Sequence, residues 1–211
     1  MTTSGPTTVA VIGGGAAGLT AALFLARGGM DVHLFDQDRS ILKRARLCNL
    51  PGQEELEGRQ LLADLRTKTA ALGVHGHPIK VDDVVAGPAA TTTDRSAGPN
   101  SGPGFTVQTA EGGLAVDFVV LATGQGTLRL ASLSLETTDA RQPFVKLNVV
   151  TDHWGATSVP GVYAAGVLAG WPSQAVVCAG SGANVAIEIL SRVNGEFWVD
   201  HDDSRLAPDP A

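Results

Sequence analysis

The sequence predicts an α/β fold, in which a parallel sheet flanked by helices is joined to a small antiparallel three-stranded meander. Three observations predict this fold. A β-branched apolar run at residues 7–12 stops at three consecutive glycines, and a helical pattern and a second apolar run follow. Glycine makes up 26 of the 211 residues, an excess typical of many tight turns. The hydrophobic fraction of 44% is enough to bury a core, and we predict a single domain over residues 1–211.

Composition and charge disfavour several classes of function. Lys and Arg total 15 against 21 Asp and Glu, and the net charge of −6 disfavours binding to nucleic acid or to an anionic membrane. No segment reaches the roughly 20 consecutive apolar residues of a membrane helix, and no basic residue precedes the first apolar run as in a secretory signal. Because two cysteines are too few to crosslink a secreted scaffold, we expect the protein in the cytoplasm.

The first elements form a strand–helix–strand unit. Residues 7–12 are short and nearly all apolar, which is typical of a strand buried on both faces. Leucine and phenylalanine among alanines predict a helix over residues 16–27, ended by Gly28 and Gly29. Residues 31–36 predict a second strand. Because such crossovers are right-handed, we expect the two strands to be parallel neighbours.

The middle of the chain predicts a helix and then the meander. Leucines at helical spacing predict a helix over residues 54–72. The meander covers about residues 79–121: one strand is predicted at 79–85, and two more, at 105–109 and 114–121, flank a hairpin signal. Residues 87–104 are rich in Gly, Pro, Ser and Thr and predict a flexible surface loop.

The last part of the chain divides into a connection, a C-terminal segment and a tail. The N-terminal segment covers residues 7–124, and residues 125–160 form a short connection without a clear pattern. The C-terminal segment, 161–195, contains a short strand at 162–165 and a helix of small residues at 174–193 that Asn194 and Gly195 end. Residues 196–211 predict a frayed tail.

The glycines after the first strand have the spacing of a dinucleotide-binding turn. Gly13-Gly14-Gly15-Ala16-Ala17-Gly18 matches G-x-G-x-x-G. In this motif Gly13 makes the tight turn, Gly15 lets a pyrophosphate approach the backbone, and Gly18 lets the helix pack close to the strand. The N-terminus of the helix offers N–H groups and a positive dipole end to the phosphates. The alternative is a turn that only packs the helix.

Asp36 is the expected ribose ligand. It lies 18 residues after Gly18, at the end of the second strand, where a carboxylate accepts hydrogen bonds from a ribose diol. A carboxylate there also repels a 2′-phosphate, which disfavours NADP. The turn and this acid fit both FAD and NAD, because the two share their adenosine half.

Five segments together carry a family resemblance. They read, in order, VAVIGGGAAGLTAALFLARGG from residue 9, NLPG from 49, VVLATG from 119, VPGVYAAG from 159 and SQAVVCAGSGANVAIEI from 173. In this combination the chain resembles the Rossmann-like FAD domain of thioredoxin reductase-like pyridine nucleotide-disulfide oxidoreductases. The resemblance covers most of residues 7–195.

The resemblance implies FAD as the cofactor and assigns roles to matched positions. Ala122-Thr123-Gly124 returns the chain past the adenosine side of FAD, and the segment ending in Gly166 leads to the ribityl chain. Gln174 and Ala175 begin a helix whose N-terminus points at the N1/O2 edge of the flavin, where it stabilises negative charge. The candidate FAD-binding residues are Gly13, Gly15, Ala16, Ala17, Gly18, Asp36, Gln37, Asn49, Ala122, Thr123, Gly124, Gly166, Val167, Gln174 and Ala175.

The chain departs from this family at three places. Family members have a second, NAD(P)H-binding domain after the ATG segment, whereas only 36 residues, 125–160, stand there and they contain no second glycine turn. The redox-active C-x-x-C of that domain is also absent. The family's Gly-Asp at the ribityl chain is Gly166-Val167 here. We therefore expect an FAD-binding oxidoreductase without thioredoxin reductase activity of its own.

The electron donor, the acceptor and the oligomeric state follow less directly. Free NAD(P)H, a small reductant or a separate protein would supply the electrons, and the flavin face left uncovered by the missing domain predicts a homodimer or a partner protein. Two alternatives stay open. One is a flavin-binding or redox-sensing module without turnover, and the other is a minimal NAD-dependent dehydrogenase.

A few further residues have chemistry to weigh. Cys48, beside NLPG and close to three basic residues, is the candidate catalytic residue, although an ordinary half-buried cysteine is the simpler interpretation. Cys178 is expected in the core. Trp171 is a candidate for stacking on a flavin or adenine. His75 and His77, with Asp82 and Asp83 after them, offer metal-ligating groups, but a solvated turn without a metal is the expectation.

Overall fold

A computed structural model describes residues 5–87, 104–124 and 131–199. The predicted loop at 87–104 therefore lies almost wholly outside the described residues. The same holds for the start of the connection at 125–130 and for the tail from residue 200 onward.

The described ranges contain both α-helices and β-strands, interspersed along the chain. The helices are α1 (Ala16–Arg27), α2 (Gly58–Ala71) and α3 (Ala175–Asn194). The strands are β1 (Thr8–Ile12), β2 (Asp31–Phe35), β3 (Arg46–Leu47), β4 (Leu56–Glu57), β5 (His75–His77), β6 (Val81–Ala86), β7 (Phe105–Thr109), β8 (Gly112–Val116), β9 (Phe118–Leu121), β10 (Thr137–Asp139), β11 (Leu147–Val149) and β12 (Val162–Ala164).

A five-stranded parallel sheet forms the centre of the fold, in the order β12-β9-β1-β2-β5. β1 pairs in parallel with β2 on one side and with β9 on the other, with Ala10 opposite His33 and Val119. The predicted α/β class and the parallel pairing of the first two strands are therefore confirmed. The strand from the C-terminal segment, β12, completes the sheet beside β9.

The two faces of this sheet bury different layers. On one face Val9 and Val11 pack with the helices, among them Leu25 of α1 and Ile189 of α3. On the other face Ala10, Ile12 and Leu121 pack against the antiparallel meander β6-β7-β8. Because side chains alternate along a strand, burial on both faces requires an unbroken apolar run, which explains the composition of residues 8–12.

The predicted strand over residues 114–121 is wrong as a single element. The chain leaves the meander at Val116 and enters the parallel sheet at Phe118. Asp117 makes the change of sheet, because its side chain accepts a hydrogen bond from the backbone N–H of Thr8 at 2.8 Å and its own N–H donates to the Thr8 carbonyl at 2.9 Å. An apolar run thus conceals two strands with different partners.

Two boundaries and one further strand differ from the sequence prediction. α2 begins at Gly58 rather than at residue 54, because residues 56–57 pair with β3 and the Gly58 N–H donates to the Ala45 carbonyl at 2.8 Å. The strand expected at 79–85 is β6, two residues later. His75 and His77 do not lie in a solvated turn: they belong to β5, the edge strand of the parallel sheet, paired with β2.

The described part of the connection holds the C-terminal segment in place. β10 and β11 form an antiparallel pair in residues 137–149. The buried Asn148 of β11 donates from Nδ2 to the Val167 carbonyl at 2.7 Å, which ties the connection to the turn after β12.

The described ranges contain one helix, α3, that is long and apolar enough to cross a membrane. Several apolar side chains of that helix are part of the core, since Val185, Ile189 and Leu190 are each at most 1% exposed. A core helix passes the same test of length and composition, so this finding is weak evidence for a membrane span.

Candidate nucleotide-binding site

A cavity of about 460 Å³ opens at the carboxyl ends of four neighbouring parallel strands, β2, β1, β9 and β12. This edge of an open α/β sheet is where ligands bind, because the loops that follow the strands diverge there. The volume falls within the range of sites for small molecules and cofactors. The cavity is long, reaching from the turn after β2 to the N-terminus of α3.

The glycine turn between β1 and α1 forms the floor of the cavity. Gly13 has a φ of +111°, and a Cβ there would lie 2.4 Å from the Ala122 carbonyl oxygen. A Cβ on Gly18 would lie 1.8 Å from the Gly13 carbonyl oxygen. These two glycines therefore have the steric roles that the motif predicts: one makes the turn and the other lets α1 approach β1.

Gly15 is different, because nothing presses on it from the protein. Its φ of −84° suits any residue, and the nearest atom to a Cβ there would be Ser40 Oγ, at 3.6 Å. Gly15 and Ser40 both line the cavity. A side chain at this position would fill cavity space and leave the fold unchanged, which is the behaviour expected of a glycine kept for the approach of a ligand.

The N-terminus of α1 faces the same space. Gly15 is its N-cap, no side chain caps it, and its first turn contains no acidic residue. Ala16 and Ala17, which follow, line the cavity. Uncompensated N–H groups and a positive dipole end are what a phosphate binds at a helix N-terminus.

Asp36 lies directly after β2 and lines the cavity, as predicted. Its Oδ2 accepts a hydrogen bond from Arg66 of α2 at 2.9 Å, and its Oδ1 accepts one from the Asp38 N–H at 3.1 Å. A Cβ on Gly14 would lie 2.1 Å from Asp36 Oδ2. Gly14, a variable position of the motif, is therefore required here so that the carboxylate can lie against the turn.

A small ion-pair network surrounds this carboxylate. Asp38 pairs with Lys43 and, at 2.7 Å, with the same Arg66 that contacts Asp36. The hydrogen bond from Lys43 lowers the pKa of the exposed Asp38 carboxyl. Arg66 thus holds two carboxylates at the adenosine-side end predicted for the cavity, which fixes the orientation of Asp36.

Thr123 has the one buried side-chain polar atom without a hydrogen-bond partner in the described ranges. Thr123 lines the cavity together with its neighbours Ala122 and Gly124. An unsatisfied buried hydroxyl costs free energy, so native proteins seldom leave one. A ligand in the cavity that hydrogen-bonds Thr123 Oγ1 would remove this cost.

The other end of the cavity lies between the turn after β12 and the start of α3. Gly166 has a φ of +67°, and its N–H donates to the buried Ser181 Oγ at 2.8 Å. Val167, in the place of the family's aspartate, is buried and lines the cavity. Ser173 and Ala175 line it from the start of α3. This end offers apolar walls and a helix N-terminus but no carboxylate at residue 167.

Most, but not all, of the predicted residues line the cavity. Those that do are Gly13, Gly15, Ala16, Ala17, Asp36, Gln37, Ala122, Thr123, Gly124, Gly166, Val167 and Ala175. Gly18 does not line the cavity; it lies behind the glycine turn, against the Gly13 carbonyl. Gln174 is the exposed N-cap of α3, and Asn49 and Cys48 are exposed; none of these three lines the cavity. Trp171, the stacking candidate, also lies outside the lining.

Sequence reasoning did not assign several lining residues to the site. They are Gly14, Arg39, Ser40, Ile41, Leu42, Ile79, Lys80, Val81, Ala165 and Cys178. The group at 39–42 comes shortly after β2, and the group at 79–81 leads into the first residue of β6. Both groups therefore adjoin elements that the sequence predicts. Their approach to the glycine turn depends on the tertiary fold. Arg39 and Lys80 add positive charge to the lining.

The two cysteines are free thiols in different surroundings. Cys178 is buried, as expected, and also lines the cavity, one turn into α3. Its thiol donates to the Pro172 carbonyl at 3.4 Å, and burial raises its pKa. Cys48 is exposed.

One family model matches the chain. It describes FAD-dependent oxidoreductases and covers residues 8–45, which contain β1, the glycine turn, α1, β2 and Asp36. The match agrees with the expected cofactor, because the family model that matches this strand–turn–helix–strand unit describes enzymes that depend on FAD. No curated protein matches the sequence.

Solved structures of thioredoxin reductases have the same fold. The thioredoxin reductase from Gloeobacter violaceus superposes with a TM-score of 0.70 at 19% identity, covering 94% of this chain and 99% of that chain. The atypical thioredoxin reductase from Desulfovibrio vulgaris Hildenborough gives 0.68 at 17% identity, covering 91% and 99%. A ferredoxin-flavin thioredoxin reductase from Clostridium acetobutylicum gives 0.68 at 15% identity, covering 91% and 99%. The predicted fold resemblance is confirmed.

Proposed function

We propose that this chain is an FAD-binding oxidoreductase that passes electrons between an external donor and an acceptor, and that it has no thioredoxin reductase activity of its own. The observation that carries the proposal is the cavity at the ends of the parallel strands, with its glycine floor and the unpartnered hydroxyl of Thr123. The family match over residues 8–45 supports FAD as the dinucleotide.

The residues present fit FAD along the length of the cavity. The N-terminus of α1 would hold the pyrophosphate, with Gly15 leaving room for it. Asp36, oriented by Arg66, would accept the hydrogen bonds of the adenosine ribose. Thr123 Oγ1 would gain the partner that it lacks. The flavin would lie toward Val167 and the start of α3.

The chemistry divides between cofactor and protein. FAD, when bound, supplies the transfer of electrons and hydride. The protein supplies orientation, exclusion of water by buried residues such as Ala165 and Val167, and the positive end of the 20-residue helix α3. A helix N-terminus stabilises negative charge, so α3 would favour the reduced, anionic form.

The cysteines support the absence of disulfide chemistry. A disulfide reductase needs two thiols that can exchange with one another and with the flavin. Cys178 lines the cavity while Cys48 does not, and burial keeps Cys178 protonated by raising its pKa. Because the thiolate is the reactive form, Cys178 is a poor nucleophile.

The donor is proposed to be free NAD(P)H or a separate protein, in the cytoplasm. The name of one structural neighbour joins ferredoxin, flavin and thioredoxin reductase, so a protein donor is compatible with this fold.

We also propose a homodimer. Exposed apolar side chains beside the start of α3 support a docking surface there: Trp171 and Val176 flank it, and the hydrogen bond from Gln142 to the Trp171 carbonyl brings the segment with Phe144 alongside. Sedimentation that finds only monomer at micromolar concentration would contradict the dimer.

The test is the absorbance spectrum of the purified full chain, followed by anaerobic addition of NADH and NADPH. We expect a flavin spectrum, bleaching with a donor, and no reduction of thioredoxin with NADPH. Standalone turnover as a thioredoxin reductase would contradict the assignment. A flavin spectrum that neither nicotinamide nor a reduced carrier protein bleaches would favour the flavin-binding module without turnover. A colourless protein that binds NADH would favour the NAD-dependent dehydrogenase.

A further inference from the structure

A cluster of metal-ligating side chains lies at the edge of the parallel sheet, outside the lining of the cavity. Asp31 and His33 are two residues apart on β2, so their side chains share one face of the sheet. His75 on the edge strand β5 is directly opposite His33 in the parallel register. The pairing of two regular strands thus brings one carboxylate and two imidazoles together.

The distances within this cluster are those of a metal site. Asp31 Oδ1 lies 3.2 Å from His75 Nε2, and Asp31 Oδ2 lies 3.6 Å from His33 Nε2. One ligand atom from each of the three residues lies within 4.8 Å of the other two. Tetrahedral coordination with bonds of about 2.0–2.1 Å places its ligand atoms about 3.3 Å apart. The ligand atoms are therefore near coordination distance, and rotation of the side chains must bring the widest pair closer for an ion to bind.

A neighbouring residue already orients one of the imidazoles. His33 Nδ1 is hydrogen-bonded to His77 Nε2 at 2.9 Å, which directs the opposite nitrogen, Nε2, toward Asp31. The His33 ring stacks on that of His75, at a centroid distance of 4.7 Å. His77 in turn stacks on Phe35 at 4.6 Å. Outer partners of this kind fix the ring orientation of ligating histidines.

The donor atoms select the class of ion. Imidazole is a ligand of zinc and other first-row transition metals, whereas Ca²⁺ and Mg²⁺ prefer oxygen ligands. The cluster offers three protein ligands, and His75 and Asp31 are partly open to solvent, with side chains 58% and 34% exposed. Water can therefore reach the ion and complete its coordination.

We propose that Asp31, His33 and His75 bind one divalent first-row transition metal ion, with Zn²⁺ as the probe. The ion would join β5 to β2 through side chains in addition to the backbone pairing. β5 has only three residues and lies at the edge of the sheet, where a crosslink adds most to its stability. The site uses no residue of the FAD cavity, so its test does not depend on the proposed function.

The experiment is equilibrium dialysis of the untagged full chain against micromolar Zn²⁺, with bound metal measured by elemental analysis. The variants are His75→Ala, Asp31→Asn and His77→Phe, and circular dichroism verifies that each is folded. The matched control is His153→Ala, an exposed histidine whose ring contacts Trp154 in a tilted arrangement and which is not part of the cluster. We expect one equivalent of zinc in the wild type and in the control.

Loss of a ligand is expected to weaken zinc binding at least about tenfold, and His77→Phe, which removes only the positioning partner, about tenfold. Zinc should also raise the Tm of the wild type but not of His75→Ala, because a ligand that binds only the folded state stabilises it. The proposal is wrong if the wild type binds no stoichiometric zinc. It is equally wrong if the folded ligand variants retain wild-type affinity, or if His153→Ala loses the metal as they do.

Discussion

At the scale of single residues, Thr123 has a buried hydroxyl in the wall of the cavity that we propose binds FAD. Its hydroxyl is buried and unpartnered, in a segment, Ala122-Thr123-Gly124, for which the family resemblance implies a cofactor role. A buried hydroxyl without a partner destabilises the folded protein, while the same hydroxyl bonded to a ligand contributes to affinity. The Thr123 hydroxyl should therefore lower the stability of the protein without FAD and raise its affinity for FAD.

Thr123→Val tests this directly, because valine has nearly the same shape without the hydroxyl. We expect the protein without FAD to be stabilised by about 1 kcal/mol, and the dissociation constant for FAD to rise roughly threefold to tenfold. Urea denaturation measures the first effect and a flavin titration the second. A variant that is destabilised and yet binds FAD with unchanged affinity would show that Thr123 has its partner within the protein.

The two cysteines should react at very different rates. Cys178 is buried with a raised pKa, and Cys48 is exposed, so we expect native protein to be alkylated at Cys48 at least about tenfold faster. Because Cys178 lines the cavity, FAD should slow its alkylation further and leave Cys48 unchanged. Mass spectrometry of iodoacetamide-treated protein measures both rates, with urea-unfolded protein as the control. Equal rates in the folded state, or no protection of Cys178 by bound FAD, would contradict the placement of this thiol.

At the scale of elements, α1 and α3 pack against one another beside the cavity. Both helices begin at its wall, and they approach one another closely because both contain small residues. A Cβ on Gly182 of α3 would lie 2.0 Å from the Ala17 carbonyl oxygen, and one on Gly28 would lie 2.1 Å from Leu190. The small-residue composition of α3, visible in the sequence, is thus a requirement of helix packing.

Gly182→Ala and Gly180→Ala form a matched pair on the same helix. The methyl group at 182 meets backbone and must push α3 from α1, so we expect a loss of about 1–3 kcal/mol in the free energy of unfolding. A Cβ at 180 meets nothing within 4 Å, and alanine there should stabilise the helix by up to about 1 kcal/mol. Chemical denaturation of both variants measures the difference. Two variants of equal stability would mean that the helices are not in close contact.

At the scale of the whole molecule, the sequence predicts the elements that depend on a local residue pattern. It does not predict the elements that depend on contacts with distant segments of the chain. The strand–turn–helix–strand unit was recognisable, because its apolar runs and glycines are dictated by burial on both faces and by φ values such as that of Gly13. The strand β5 was not recognisable, because its sequence His-Gly-His lacks the apolar residues typical of a strand. It is a strand because it pairs with β2. The division of the apolar run 114–121 at Asp117 was not recognisable either, because it depends on the hydrogen bond that the Thr8 N–H donates to the Asp117 side chain.

The candidate site shows the same division. The G-x-G-x-x-G motif predicted the glycine turn and Asp36, and the family resemblance implied Thr123 and the start of α3. The structure brings most of them to one cavity. Gly14 and Arg66 could not be found, because the need for each arises from the position of the Asp36 carboxylate in space. Motifs identify the groups that contact a ligand, while the residues that orient those groups appear only in three dimensions.

The most direct test of the central claim, that this cavity holds FAD, is a titration of the cofactor-free full chain with FAD, followed by the change in flavin absorbance and fluorescence. We expect one equivalent to bind, and Gly15→Val to weaken binding at least about tenfold while remaining folded, because its side chain enters cavity space beside Ser40. The control Gly180→Ala should bind as the wild type does. A wild-type chain that does not bind FAD, or a folded Gly15→Val variant that binds it equally well, would contradict the account.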